Sequence, residues 1–284
     1  MKLVTFRRAD RVSFGRLEGD AVIDLGPVFE GRYAGLRDVL EQDALDEIRA
    51  AEGAATLALS DLELLPPIPD PNKILCAGVN YHAHREEASR AAAEYPTIFP
   101  RFADSQVAHG GPLLRPAETA RFDYEGELAV VIGRGGRRIP AEKAFDHVAG
   151  YSCYNDGSVR DWQRHTAQWL PGKTFPATGG FGPALVTADE VGDPSRLQLT
   201  TRVNAEERQS ASVADLIFDI PALIAYISTF TPLAPGDVIV SGTPGGVGLF
   251  RDPPVFLKPG DVVEVDIPGV GLLVNTVADD VVDG

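Results

Sequence analysis

The sequence predicts a β-rich α+β fold, with a small N-terminal domain over 1–69 and a main domain over 70–284. Three observations point to it. Short apolar runs of strand length recur along the chain, separated by turns drawn from 29 glycines and 22 prolines. Few stretches carry helical spacing, so the regular strand–helix alternation of a doubly wound sheet is missing. A proline-dense break, Leu64-Leu65-Pro66-Pro67-Ile68-Pro69-Asp70-Pro71, divides the chain. Proline neither continues a helix nor donates to a sheet ladder, so this run marks a boundary.

The elements follow in order. Residues 3–6 and 11–17 read as strands, and a turn at Glu18-Gly19-Asp20 leads to a third run over 21–23. Residues 36–52 carry Leu36, Val39, Leu40, Leu45 and Ile48 at roughly helical spacing. The main domain opens with a strand over 73–79, followed by an alanine-rich helical stretch that ends before Pro96. The apolar run Leu128-Ala129-Val130-Val131-Ile132 reads as a buried strand. Further strands are expected over 197–203, 238–241, 262–267 and 272–277, with helices over 159–169 and 220–230. No internal repeat or low-complexity segment is evident.

Composition bounds the function. A chain of 284 residues with 44% hydrophobic content can bury a substantial core. The net charge of −15, with no basic stripe to offset it, argues against nucleic acid or an anionic membrane as partner. Cys76 and Cys153 lie far apart without a CxxC pattern, which suggests neither a disulfide framework nor a zinc site. The first residues lack the apolar core of a signal peptide, and no apolar run is long enough to span a bilayer. A cytoplasmic location is therefore expected.

The most informative stretch is Asp123-Tyr124-Glu125-Gly126-Glu127, at the mouth of the buried strand. Side chains at i, i+2 and i+4 share one face of a strand, so Asp123, Glu125 and Glu127 should converge. Converging buried carboxylates repel, and a divalent cation is the simplest compensation. Oxygen-only ligands suit Mg²⁺, Mn²⁺ or Ca²⁺ rather than zinc. A solvated edge strand with a charged face is the competing reading.

Other residues could carry chemistry. His84 and Glu87, three apart in an expected helix, share one face. Such a pair can act as a general base, or be an ordinary surface pair. His82-x-His84 as a zinc pair is weaker, because a helix would point the two rings apart. Asp156, in the turn Asn155-Asp156-Gly157-Ser158, could cap a helix or bind metal. Lys173 could neutralise an anionic substrate or be solvated. The loop Ser241-Gly242-Thr243-Pro244-Gly245-Gly246-Val247-Gly248 lacks the Gly-Lys-Ser/Thr ending of a phosphate loop, and Gly133-Arg134-Gly135-Gly136 fails the dinucleotide fingerprint. The first remains a possible cradle for an anion or carboxylate.

Taken in order, these segments resemble the fumarylacetoacetate hydrolase family. The motif Asn-Tyr-x-x-His-x-x-Glu lies over 80–87, and Asp-Tyr-Glu-x-Glu-Leu over 123–128. Asn-Asp-x-Ser-x-Arg-Asp-x-Gln spans 155–163, Gly-Lys-x-Phe 172–175, and Gly-Thr-Pro-x-Gly-Val-Gly 242–248. The resemblance covers about residue 73 to the C-terminus. It implies mixed β-sheets rolled into a sandwich-like β-roll, usually assembled as a homodimer. It implies Mg²⁺ or Mn²⁺ on Glu125, Glu127 and Asp156, with Ca²⁺ as a crystallisation substitute. It makes Lys173, Arg160, Gln163, Thr243 and Tyr81 neighbours of substrate or metal, with His84 and Glu87 as a water-activating pair on a mobile lid. Two departures stand out: the additional His82 and Glu86 in the lid, and the segment Pro176-Ala177-Thr178-Gly179-Gly180-Phe181-Gly182-Pro183 after Phe175.

The chemistry this implies begins with a small 2-oxo acid whose carboxylate and ketone oxygens meet the metal. Positive charge then stabilises an enolate. The expected activity is hydrolysis of an acylpyruvate of the fumarylpyruvate or maleylpyruvate type to pyruvate and a carboxylic acid, in catabolism of aromatic compounds or sugar acids. Oxaloacetate decarboxylation and isomerisation of a 2-hydroxyhepta-2,4-diene-1,7-dioate are the alternatives on the same site. A non-catalytic metal-stabilised binding protein is the alternative of another class.

Overall fold

The strand Gly126–Ile132 has every residue buried, and it organises the molecule. It pairs antiparallel with Val148–Asp156 on one side and with Val238–Val240 on the other. Its alternating side chains feed two separate cores. Leu128, Val130 and Ile132 pack into the first, with Leu199, Val265 and the helix residues Leu223, Ile224 and Ile227. Ala129 and Val131 pack into the second, with Leu3, Leu36, Val39 and Ile48 of the N-terminal segment. A strand covered on both faces must be apolar throughout, which explains the unbroken run after Glu127. The computed structural model that reveals this architecture describes residues 1–281.

The main sheet is mixed and 12-stranded, and a second sheet has five strands. The second runs Glu206–Ser212, Gln198–Val203, Val262–Ile267, Gly271–Asp279 and Pro112–Arg115. The expected β-rich α+β class is therefore observed. The N-terminal strands do not form a sheet of their own. Lys2–Arg8 pairs with Gly179–Thr187 and so joins the main sheet.

The helix Ile220–Phe230 lies where its spacing placed it. The Asp219 side chain accepts the Ala222 N–H at 2.8 Å, and Pro221 occupies the first turn, where no N–H is needed. Its buried Ile220, Leu223, Ile224 and Ile227 each contribute roughly 1.5–3 kcal/mol through burial.

Three helical expectations require correction. The 36–52 stretch is two helices, Leu36–Glu41 and Leu45–Ala50, interrupted where Asp43 takes a φ of 52°. The helix after Tyr81 covers only His82–Glu87, and Ser89 beyond it has a φ of 49°. The following Ala91, Ala92 and Ala93 are exposed, so helix propensity has no apolar face to act with. In the 159–169 stretch only Arg160–Gln163 is helical, and a short turn follows at Leu170–Gly172. Between them Thr166 Oγ1 accepts the Gln168 N–H at 3.1 Å, a local turn that competes with helix. No helix of the described residues is long and apolar enough to cross a membrane.

Candidate metal centre and active site

Sheet register brings three carboxylates together. Glu125 lies directly before the Gly126–Ile132 strand, and its carbonyl accepts the Asp156 N–H at 2.8 Å. Glu125 and Asp156 are thus cross-strand partners, and Glu127 lies one pleat further along the same face. Ligand oxygens of all three approach within 4.8 Å of one another, and all three residues are buried. Asp123 does not join them, contrary to the alternation argument. Its short strand Phe122–Asp123 pairs instead with Ser158–Val159, and the strand is interrupted at Tyr124 and Glu125. The Asp123 carboxylate accepts N–H bonds from Gly248 and Leu249, at 2.8 and 2.9 Å, and one from Arg160 Nε at 2.8 Å.

Three buried cations surround the triad. Lys173 Nζ donates to Glu125 Oε2 at 2.5 Å and to Asp156 Oδ2 at 2.6 Å. Arg160 Nη1 lies 2.7 Å from Glu125 Oε1, so Arg160 bridges Asp123 and Glu125. Arg101 Nη1 donates to Asp156 Oδ1 at 2.5 Å, while Nη2 donates to Thr178 Oγ1 at 2.8 Å. Nothing in the sequence singled out Arg101, which closes the otherwise unremarkable strand Ile98–Arg101. The departure after Phe175 acquires a role here, since Thr178 holds Arg101 rather than reaching the cleft.

The charges are uneven. Burial works against ionisation of Glu125, but Arg160 and Lys173 outweigh it and hold the carboxyl well below its usual range. Burial also disfavours charge on Lys173, yet Asp156 and Glu125 raise its pKa on balance. Glu127 is the exception. Burial pushes its pKa well up, and the charges of Asp156 and Glu125 push it further. Among the described residues its one hydrogen bond is from the Gly242 N–H to Oε2 at 2.5 Å. Four carboxylates thus face three cations, with the deficit at Glu127. Oxygen donors, burial and missing positive charge together fit a divalent cation on Glu125, Glu127 and Asp156.

The predicted His84–Glu87 pair forms. His84 Nδ1 lies 2.6 Å from Glu87 Oε1, and Glu87 Oε2 accepts the Gly246 N–H at 2.8 Å. His84 is buried and lines the same cleft as the triad, with its ring 6.0 Å from that of Phe250. The glycine loop is therefore a carboxylate cradle, for Glu127 at Gly242 and for Glu87 at Gly246. Gly246 has a φ of 103°, and a Cβ there would stand 2.1 Å from the Arg208 carbonyl oxygen, so only glycine fits. His82 and Glu86 are exposed, which selects His84 and Glu87 as the pair.

Gln163 and Thr243 also line the cleft. Gln163 Oε1 accepts from Arg160 Nη1 at 3.1 Å. Thr243 Oγ1 donates to the Gly126 carbonyl at 2.9 Å and accepts from Gln209 Nε2 at 2.8 Å, fixing the backbone beside Glu127. Tyr81 is not part of the cleft. It bridges to Leu216 and is buried in the apolar core on the opposite face, and burial raises the pKa of its hydroxyl. The cleft walls are Val79, Ala88, Phe99, Trp169, Leu249 and Phe250, none of which the motifs had marked.

A match to the fumarylacetoacetate (FAA) hydrolase C-terminal model spans residues 73–278. The chain belongs to the fumarylacetoacetate hydrolase family. It is 42% identical over 287 residues to the mitochondrial oxaloacetate tautomerase fahd2 of Xenopus laevis, covering 98% of this chain and 90% of that one. The fumarylacetoacetate hydrolase of Exiguobacterium antarcticum superposes with a TM-score of 0.85 at 36% identity, over 99% of this chain and 100% of that one. The maleylpyruvate hydrolase of Sphingobium sp. SYK-6, solved with manganese(II) and pyruvate, gives a TM-score of 0.80 at 29% identity, again over 99% and 100%.

Proposed function

We propose that this protein is a divalent-cation-dependent tautomerase of a 2-oxo acid of the oxaloacetate type. The observation that carries the reading is the oriented His84–Glu87 pair beside the carboxylate triad in one cleft. One oxygen of Glu87 holds His84 and the other holds Gly246. The pair is thereby built to orient an imidazole as a base. With Glu87 accepting Nδ1–H, Nε2 is the free base. His84 takes a proton from the carbon beside the ketone, and the proton is returned to the ketone oxygen, giving the enol; the reverse path regenerates the ketone. Mg²⁺ or Mn²⁺ held by Glu125, Glu127 and Asp156 would supply positive charge to the oxygens of the 2-oxo acid. Lys173 adds charge and holds two of the three ligands. Relatedness supports the same choice, since identity is 42% to the oxaloacetate tautomerase and 29% to the maleylpyruvate hydrolase.

Acylpyruvate hydrolysis, the first expectation from sequence, is the second reading. The fold shared with the manganese- and pyruvate-bound maleylpyruvate hydrolase favours it. The test follows loss of enol absorbance from freshly dissolved oxaloacetate, with Mg²⁺ and with EDTA, while pyruvate is assayed enzymatically. Metal-dependent enol-to-ketone conversion without pyruvate is the expected result. A higher kcat/KM for pyruvate release from an acylpyruvate would move the assignment to the hydrolase. Pyruvate formed from oxaloacetate would move it to the decarboxylase.

A further inference from the structure

We infer that Arg90 and Arg164 form a subsite for a second carboxylate at the far end of the substrate, making the enzyme selective for dicarboxylic 2-oxo acids. This rests on the reading of the cleft as a 2-oxo acid site. Both arginines line the cleft, and both are exposed. Among the described residues neither guanidinium has a carboxylate partner, whereas the buried Arg101 and Arg160 each have one or more. In a chain of net charge −15, two unpaired guanidiniums at the mouth of one acidic cleft are out of keeping with their surroundings. Unpaired cations beside a bound anion strengthen its recognition, and guanidinium is matched to carboxylate geometry.

Arg90 is also held in place. Its guanidinium lies 5.1 Å from the Trp169 ring centroid. Trp169 meets Phe99 edge-on at 5.4 Å, and the Phe99 ring in turn lies 5.1 Å from Lys173 Nζ. Stacking of this kind fixes the plane of an otherwise mobile side chain and reduces the ordering cost of binding. A continuous aromatic wall therefore connects the cation that contacts the metal ligands with the cation at the mouth. A 2-oxo acid with its carboxylate and ketone at the triad would lay its chain along this wall and its far end toward Arg90 and Arg164. Arg90 lies three residues beyond Glu87, so the same segment carries the proton-accepting pair and the reader of the distal charge.

The test is calorimetric binding in the presence of Mg²⁺, which needs no turnover. The probes are two matched pairs, 2-oxoglutarate against 2-oxovalerate and 2-oxoadipate against 2-oxohexanoate. Each pair differs by a terminal carboxylate in place of a methyl group. The wild type should prefer the dicarboxylate in at least one pair by about tenfold or more, the effect of one charge-assisted contact. Arg90→Gln and Arg164→Gln should each reduce the preference, and the double variant should bring it near unity. Arg90→Lys should retain part of it, and Trp169→Leu should weaken it without removing a charge. Both arginines are exposed, so the variants should melt as the wild type does. No preference in the wild type, or a preference that survives in the double variant, overturns the subsite, as does failure of all four acids to bind. A preference that behaves as expected in an enzyme without tautomerase activity would keep the subsite and reject the reaction.

Discussion

Glu87 is the residue whose replacement tests both the chemistry and the closure of the site. Its two carboxylate oxygens make two different bonds, to His84 at 2.6 Å and to the Gly246 N–H at 2.8 Å. Hydrogen bonds to a charged group are worth roughly 1.5–3 kcal/mol each. Glu87→Gln keeps the shape and an oxygen acceptor but removes the charge that faces the imidazole when it takes up a proton. The expected loss in kcat is roughly 10²-fold, the lower end for general acid–base catalysis. Glu87→Ala removes both bonds. Loss of the Gly246 tether alone should raise opening of the His82–Glu87 helix by about ten- to hundredfold. Hydrogen exchange of that helix reads the opening, and kcat on oxaloacetate reads the chemistry. The Gln variant should lose rate with little change in exchange, and the Ala variant should lose protection as well. Equal exchange in wild type and Glu87→Ala, or a kcat near wild type in either variant, would refute the reasoning.

Glu127→Ala should abolish stoichiometric Mg²⁺ or Mn²⁺ binding and leave activity near background, measured by calorimetry and the enol assay; full metal content would remove Glu127 from the ligand set. His84→Ala should abolish tautomerisation with metal affinity nearly unchanged, and loss of bound metal would contradict a proton-transfer role. Arg101→Met strands Asp156 beside a single cation and empties the partner of Thr178. Breaking a buried pair costs about 3–5 kcal/mol, so urea unfolding should show that loss, Arg101→Lys should show less, and a loss under about 1 kcal/mol would deny the pair its structural weight. Gly246→Ala should destabilise the glycine loop and reduce kcat together, because its Cβ collides with the Arg208 carbonyl; wild-type melting and rate would show that the loop yields.

The sequence made the site more legible than its framework. Glu125 and Glu127 were readable because a period of two in an otherwise apolar strand needs a reason. Asp123 misled the same argument, because alternation holds only while the strand continues, and it is interrupted at Tyr124 and Glu125. The strands around 128–132, 198–203 and 262–267 and the helix Ile220–Phe230 followed from patterning, a local effect. Arg101 was illegible, since its meaning comes from Asp156, 55 positions away. The same holds for Lys2–Arg8, whose pairing with Gly179–Thr187 no local pattern announces. Tyr81 sits inside a motif yet packs into the core, so a motif fixes a neighbourhood and not the direction of each side chain.

One metal centre can serve hydrolysis, decarboxylation and tautomerisation, because each passes through an enolate that positive charge stabilises. What separates them must lie in the groups around the centre. Hydrolysis needs a water aimed at a second carbonyl and a base to deprotonate it. His84, oriented by Glu87, offers the same free Nε2 to either reaction, and its ring packs near Phe250 in a cleft also lined by Val79, Ala88 and Leu249. Hydrolysis consumes a water, while proton transfer between carbon and oxygen consumes none, so the placement of a water beside His84 is what separates them. The His82–Glu87 helix, tied to Gly246, sets where the base stands over the triad. If the protein is the proposed tautomerase, loosening that tie should cost activity by displacing His84 while leaving metal binding intact.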